Sequence, residues 1–510
     1  ERRQKRVTSL LRSLPTLFVV CGFLLMLFTA QKYGLNSLNR TEDNKATNIT
    51  TMTTTTTGVS NLREDSNLIF GGIRTELDRA RKAEEGSKKE DDDFYDDFND
   101  EGDNNEEGGD GGTDGNIGDD DLGPDHKTRI AYAISLTGCG DGPTPVGLID
   151  GAAILAHSIR SVSYPMLSSS RYSAKLFAIV HHDALKCSKD LQRLGYSILP
   201  VPTPIQIENI KGQFLREHVN KTGCCGEKEF IKLYAYTLAD YPVAVHLDLD
   251  VLMLSPMDDL FDVIIAGEGG KAILHKKMTE GAIQVHKGPY AETYEPESSG
   301  RVDAFFTRDY NMVNPGKRYV GVQGGFLILR PDISALEQYV KVIHEGNFKQ
   351  GSGWGGKFGG FYGAQQFQGV VPYFYDSLRP NTAVELNRCY YNNMADAPQG
   401  DNGKCRDSKE ECQDCRETPV DEVQSAHFTI CQKPWLCLAH DSTHGHHPIC
   451  RKLHGIWYQK RKELEDLWVQ TLGDVYVPPQ RTGTYHKSHF LGFCNTFGVK
   501  GYTDIVVPGN

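Results

Sequence analysis

Beyond residue 127, short apolar runs alternate with longer segments whose apolar positions recur at helical spacing. The first run, "TRIAYAISLTG", predicts a mostly buried strand over Ile130 to Leu136, because a continuous apolar run of this length suits a strand covered on both faces. "GLIDGAAILAHSIRSV" follows as a helix, "SAKLFAIVHH" as a second strand, and "DALKCSKDLQRLG" as a polar-faced helix closing at Gly195. "YSILPVP" reads as a third strand stopped by prolines, and "GEKEFIKLYAYTLAD" as a helix leading directly into "YPVAVHLDLDVLML". This alternation predicts an α/β fold with a mostly parallel sheet and helices on both faces. Ligands of such sheets sit beyond the carboxyl ends of the strands. Later, "YVGVQGGFLILRPD" predicts a strand entered through Gly-Gly, and "ISALEQYVKVIHEG" an amphipathic helix. "QGSGWGGKFGGFYGAQQFQG" holds no GxxxxGK[ST] phosphate loop, so its glycines predict a floppy or close-approach loop. Past about residue 470 the periodicity weakens and the chain reads as an extension or wrap.

One apolar run breaks its own pattern. "AVHLDLDVLML", residues 244–254, reads as a single buried strand, yet it contains Asp248 and Asp250. Residues i and i+2 of a strand project to the same side, which puts the two carboxylates side by side at one edge. Buried carboxylates are normally paired or bound to a metal. Mg²⁺ and Mn²⁺ commonly take one or two carboxylates and complete their shell with substrate phosphates. Such an ion neutralises the acids, grips a diphosphate and stabilises a leaving nucleotide as a Lewis acid. The plain structural alternative is a pair of strand-end carboxylates capping a loop.

The chain of 510 residues has room for one large or two ordinary domains plus tails. It opens on Glu1 rather than Met, so the natural N-terminus is expected further upstream. A net charge of -12 excludes a nucleic-acid binder, which would carry a basic stripe. "LPTLFVVCGFLLMLFTA", Leu14 to Ala30, is apolar for roughly 17 residues, the lower limit for a membrane-spanning helix. Arg2, Arg3, Lys5, Arg6 and Arg12 precede it and only Lys32 follows closely, which keeps the N-terminus cytoplasmic and the rest lumenal. A cleaved signal peptide competes with an uncleaved anchor, and the length of the run favours the anchor. The expected organisation is a cytoplasmic tail (1–13), a transmembrane signal anchor (14–30), a disordered stalk and acidic linker (31–126), a globular domain (127–470) and a C-terminal extension (471–510). "TTMTTTTTG" resembles an O-glycosylated stalk. The run from Glu84 to Asp125, mostly Asp, Glu, Gly and Asn, cannot bury a core and is expected to be a solvated spacer rather than a calcium chelator.

Asn39, Asn48 and Asn220 each open an Asn-x-Thr glycosylation acceptor, meaningful in a lumenal protein. Thirteen cysteines, less Cys21 in the apolar run, leave an even number, which in an oxidising compartment predicts disulfides. Cys412-x-x-Cys415 beside "HDSTHGHHPIC" also offers half a zinc site, but the compartment favours disulfides, with pairing open.

Three motifs carry a resemblance when taken in order. "KEFIKLYAYTLADYPVAVHLDLDVLMLSPMDDLF", "VGVQGGFLILRPD" and "HFTICQKPWLC" resemble the glycogenin-type members of glycosyltransferase family 8, from Arg129 to Trp468 with interruptions. The resemblance implies a GT-A fold with a Rossmann-like sheet, a nucleotide-sugar donor (usually a UDP-sugar), Mn²⁺ with Mg²⁺ as the alternative, and retention of anomeric configuration. It implies that Asp248 and Asp250 form the metal-binding D-x-D, that His427 completes the metal site, that Lys433 in "KPW" meets the donor diphosphate, and that Lys232 in "FIKLYAY" lies near the donor. Neutral imidazole suits Mn²⁺ and an ammonium is a sound phosphate binder. Gln323, with an amide for sugar hydroxyls, and Gln365, second residue of the family's Asp-Gln pair, are the catalytic candidates. On composition alone His427 is an ordinary histidine, Lys433 a solvated charge, Trp435 a core aromatic and Gln323 a polar strand-edge residue.

Three positions depart from that pattern. Ile430 stands where a glycine follows the histidine, Ala364 replaces the loop aspartate near the reacting sugar carbon, and Gln323-Gly324-Gly325 replaces Asn-Ala-Gly. The expected protein is a single-pass type II membrane glycosyltransferase of the Golgi or endoplasmic reticulum, acting on a glycan, protein or lipid acceptor. The alternative, favoured by Ala364, is a catalytically idle lumenal carbohydrate-binding or scaffold protein on the same fold. A metal-dependent phosphohydrolase would need more ligands for a two-metal site than these motifs supply.

Overall fold

A computed structural model describes residues 127–139, 147–289, 299–438 and 447–509. The expected tail, anchor at 14–30, stalk and acidic linker lie outside them, as do Asn39, Asn48, Cys21 and most of the histidine-rich segment before Pro448. Among the described residues no helix is long and apolar enough to cross a membrane.

The strands are β1 (Arg129–Leu136), β2 (Ser173–His181), β3 (Ser197–Val201), β4 (Ala244–Leu247), β5 (Val251–Met253), β6 (Ala304–Arg308), β7 (Val322–Leu329), β8 (Phe348–Lys349), β9 (Gly353–Trp354), β10 (Ala383–Glu385) and β11 (Ser425–His427). Seven of them form one sheet in the order β10-β6-β7-β4-β1-β2-β3. β7 runs antiparallel to β4 and β6, and the other pairs in this sheet are parallel. Both faces are covered. In β1, Ile130, Tyr132, Ile134 and Leu136 enter one core while Ala131 and Ala133 enter the other, the alternation that strand geometry imposes. The helix Leu148–Ser161 supplies Ala152, Ile154 and Leu155 to the first core. The helix Gly226–Thr237, wound in tight 3₁₀ turns, supplies Phe230, Ile231 and Leu233 to the second. The α/β class and mostly parallel sheet are therefore as the apolar runs predict.

The run 244–254 is not one strand. β4 stops at Leu247, where the Asp248 N–H donates to Gly325 O at 3.1 Å; the Val251 N–H then donates to Asp248 O at 3.1 Å, closing a turn. β5 leaves the main sheet and pairs antiparallel with β11. A continuous buried strand would have carried two carboxylates into the sheet at a large desolvation cost; the turn brings them to its end. Two smaller differences follow. The Gly-Gly pair lies inside β7 rather than at its entry, and "DALKCSKDLQRLG" divides into a 3₁₀ turn, His182–Cys187, and a short helix, Lys189–Arg193.

The glycine-rich stretch folds as the β8–β9 hairpin and a close-approach loop. A side chain at Gly353 would overlap the Phe358 carbonyl, and buried Trp354 donates from Nε1 to Ala364 O at 2.9 Å. The C-terminal extension is a wrap: Phe490, Phe493, Tyr502 and Val507 enter the same core as Ile130. Five disulfides form, Cys139–Cys187, Cys389–Cys415, Cys405–Cys412, Cys431–Cys450 and Cys437–Cys494. Cys412 and Cys415 thus go to different partners, which removes the half-zinc reading. Cys224 and Cys225 remain outside the disulfides, so the even count does not mean complete pairing.

Candidate metal and donor site

The site forms at the carboxyl end of β4. β1 has β4 on one side and β2 on the other, so the strand order reverses here, where α/β sheets bind ligands. Asp248 and Asp250 occupy the turn after β4. The β5–β11 pairing sets His427 opposite Val251, and the Phe428 N–H donates to Asp250 O at 2.9 Å. A histidine 177 positions downstream is thereby fixed beside the turn.

Asp248, Asp250 and His427 each offer one ligand atom within 4.8 Å of the others. Asp250 Oδ1 lies 3.2 Å from His427 Nε2. Adjacent ligands of an octahedral ion, each at about 2.1 Å, stand about 3 Å apart, so this pair needs little movement to share a cation. His427 Nδ1 faces Asn392 Oδ1 at 3.1 Å. Donation of Nδ1–H to that amide oxygen would fix the ring so that, once a cation takes the place of the proton on Nε2, the Nε2 lone pair meets it beside the carboxylates, as a metal ligand requires. Gly325 makes the cradle possible: a Cβ there would stand 2.5 Å from His427 Cε1 and 2.7 Å from Asp248 Oδ2. Two oxygens and an imidazole fit a hard or borderline divalent cation.

Two lysines flank the acids. Buried Lys232 donates to Asp248 Oδ1 at 2.9 Å and to Gly324 O at 3.0 Å, and lies 3.9 Å from Glu229 Oε1. Burial alone would lower its pKa, but Asp248 and Glu229 outweigh burial and hold it above the ordinary range. Lys433 pairs with Asp250 Oδ2 while its side chain stays 43% exposed. At Asp250 burial pushes the pKa upward, but His427 and Lys433 outweigh it and keep the carboxyl well below the usual carboxylate range. Trp435 is the core aromatic that its bland reading expects.

The structure brings Lys232, Asp248, Asp250, His427 and Lys433 together. Gln323 lies two residues before Gly325 on β7, hence on the same face, and its Oε1 accepts from Gly325 N–H at 2.6 Å. Gln365 is half-buried, and its Oε1 has no hydrogen-bond partner among the described residues. Its neighbours are engaged elsewhere: Gln366 Nε2 donates to Val219 O and Thr222 Oγ1, and Gln368 lies against Gly324. Ala364 is buried in the core. Sequence reasoning missed Asn392 and Glu229. Nothing local marks Asn392; Glu229 precedes Lys232 by three positions on one helix, a spacing that could have drawn notice.

No protein-family model matches the chain, and no curated protein matches it. Among solved structures it is similar to the apo form of mouse xyloside xylosyltransferase 1, at 11% identity and a TM-score of 0.33, over 59% of this chain and 97% of that one. It is similar to the galactosyltransferase LgtC in complex with donor and acceptor sugar analogues, at 11% identity and a TM-score of 0.30, over 65% of this chain and 100% of that one. It is also similar to the glycosyltransferase GlyE of Streptococcus pneumoniae TIGR4, at 10% identity and a TM-score of 0.33, over 68% of this chain and 64% of that one. The reading of the site rests on its own residues and geometry.

Proposed function

We propose that the chain is a metal-dependent glycosyltransferase of GT-A type that takes a sugar from a UDP-sugar, with retention of configuration, and passes it to a glycan, protein or lipid acceptor. The observation that carries this reading is the convergence of Asp248, Asp250 and His427 between Lys232 and Lys433 at the strand-order switch. The triad would hold Mn²⁺, with Mg²⁺ as the alternative; when bound, the cation supplies Lewis-acid stabilisation of the departing diphosphate. Lys433, half-exposed on a long flexible stem, turns from Asp250 to the diphosphate as a charge-assisted donor. Lys232 fixes Asp248, and Gln323 and Gln365 are the amide candidates beside the reacting sugar.

We place the protein in the Golgi or endoplasmic reticulum as a type II membrane protein, anchored through residues 14–30 with the domain lumenal. Five disulfides support an oxidising compartment. The second reading, an idle sugar-binding or scaffold protein, draws on buried Ala364, which offers no carboxylate at that position.

A donor screen tests the proposal. With Mn²⁺, a panel of nucleotide sugars and mixed glycan acceptors, the transferase releases UDP from one donor, stops in EDTA, and recovers with Mn²⁺ better than with Ca²⁺. Full activity in EDTA would contradict the metal site; donor binding without turnover would select the idle reading.

A further inference from the structure

Glu229 is an acid beside the site that the metal and diphosphate contacts leave unused. It sits on the helix Gly226–Thr237, three positions before Lys232, with its side chain only 5% exposed. Its sole ion pair is the 3.9 Å approach to Lys232, and no hydrogen bond among the described residues reaches its carboxyl. A carboxyl this enclosed without hydrogen bonds is costly, and the space it faces belongs to the site. A Cβ on Gly324 would stand 3.6 Å from both Glu229 Oε1 and Lys232 Nζ, and one on Gly325 would stand 2.7 Å from Asp248 Oδ2. The Gly324-Gly325 pair is therefore a bare strip of β7, with Gly324 turned toward Glu229 and Lys232 and Gly325 toward the metal triad, and Lys232, 2.9 Å from Asp248 Oδ1, links the two sides.

Charge is divided along that strip. At the Asp250 end, exposed Lys433 is available to an anion. At the other end the Lys232 ammonium is already met by Asp248, Glu229 and the Gly324 carbonyl. Two carboxylates around one ammonium leave no surplus positive charge for a phosphate, but suit the hydroxyls of a neutral polyol, which can both donate and accept. A sugar attached to a diphosphate held at the Lys433 end has this acid end next to it.

We propose that Glu229 recognises the donor's sugar ring, its carboxyl bonding hydroxyls of a neutral sugar while the Glu229 and Asp248 pair turns away an acidic sugar such as a uronate. This rests on the donor reading above and names the sugar class that reading leaves open. Glu229 is then a specificity residue on the second lysine's side of the site, separate from the metal ligands.

The test is calorimetric binding to the purified full chain with saturating Mn²⁺ at about pH 8, above the raised pKa of the Glu229 carboxyl, so that the acid is ionised. The probes are UDP, UDP-glucuronate and whichever of UDP-glucose, UDP-galactose or UDP-xylose binds best. Wild type should bind the neutral probe more tightly than UDP-glucuronate. Glu229→Ala should raise the dissociation constant for the neutral probe by about ten- to a hundredfold, the loss expected for hydrogen bonds to a charged group, with UDP and Mn²⁺ affinities unchanged. Glu229→Gln, nearly the same size, guards against misfolding and should narrow the gap between neutral and glucuronate probes. Unchanged neutral-probe affinity in both variants, equal losses for UDP and sugar nucleotide, or a wild-type preference for UDP-glucuronate would each overturn the inference. Failure of wild type to bind UDP at all would overturn the donor reading and this inference together.

Discussion

Asp250 and Lys433 are far apart in the chain, and their pairing shows how one side chain can serve two partners. Asp250 is enclosed and keeps its charge because His427 and Lys433 both face it. Lys433 is the more exposed member, at 43% against 10% for Asp250, so its removal should leave the metal ligands in place. Lys433→Ala should retain Mn²⁺ affinity while UDP affinity falls by about ten- to a hundredfold through the lost charge-assisted phosphate contact; equal loss of Mn²⁺ binding in a titration would contradict that division of labour. Glu229 carries a pH signature. Burial pushes its carboxyl up to about 7, so the folded chain keeps a proton that the unfolded chain has released. The sign follows from linkage: for an acid raised on folding, stability is full below the unfolded pKa and declines as pH rises through the folded one. In EDTA, Glu229→Gln should gain melting temperature over wild type between about pH 5 and about pH 8, and a difference that does not grow with pH would refute it.

At the scale of elements, the turn 248–250 and the β5–β11 pair do the assembling. β7 passes beneath them, which makes Gly325 a strong test. Its substitution by alanine adds one methyl against His427 and Asp248, so Gly325→Ala should weaken Mn²⁺ binding severely while the far-ultraviolet spectrum stays that of wild type. Normal Mn²⁺ affinity in that variant would show that the triad is not the cradle. Much of this level was legible. β1, β2, β4 and β7 announce themselves because strands buried on both faces read as apolar runs, and the aspartates stand out against that background. The break at Asp248 was not legible, since apolar residues resume at once with Val251 and nothing marks the exchange of sheets. His427 and Lys433 were reached only through the resemblance of "HFTICQKPWLC", because their place depends on a strand pairing between distant segments. Asn392 left no trace, being one asparagine among several, and cysteine pairing depends on the fold rather than on spacing.

At the scale of the whole molecule, the C-terminus closes the domain. Arg461 on the helix Pro448–Leu472 is fully enclosed; it donates to Glu465 Oε1 at 3.0 Å and to Thr503 O at 2.6 Å, while Asp150 Oδ1 accepts from Tyr502 OH at 2.6 Å and Ile505 N–H at 2.9 Å. Truncation after Leu472 would remove Tyr502, Thr503 and Ile505, expose part of the first core, and strip these hydrogen bonds from buried Arg461 and Asp150, a loss of roughly 1.5–3 kcal/mol for each bond to a charged group. The truncated chain should lose most of its cooperative melting transition; an unchanged melt would mean that the wrap is dispensable. The central claim spans all three scales: a strand end, a distant histidine and two lysines exist to hold a cation against a nucleotide diphosphate. Its most direct test is titration of UDP into wild type and Asp250→Asn, each with Mn²⁺ and with EDTA. The account predicts UDP binding to wild type only with Mn²⁺, and loss of both Mn²⁺ and UDP binding in a folded Asp250→Asn. UDP affinity that is the same with Mn²⁺ and with EDTA, or unchanged in Asp250→Asn, would contradict it.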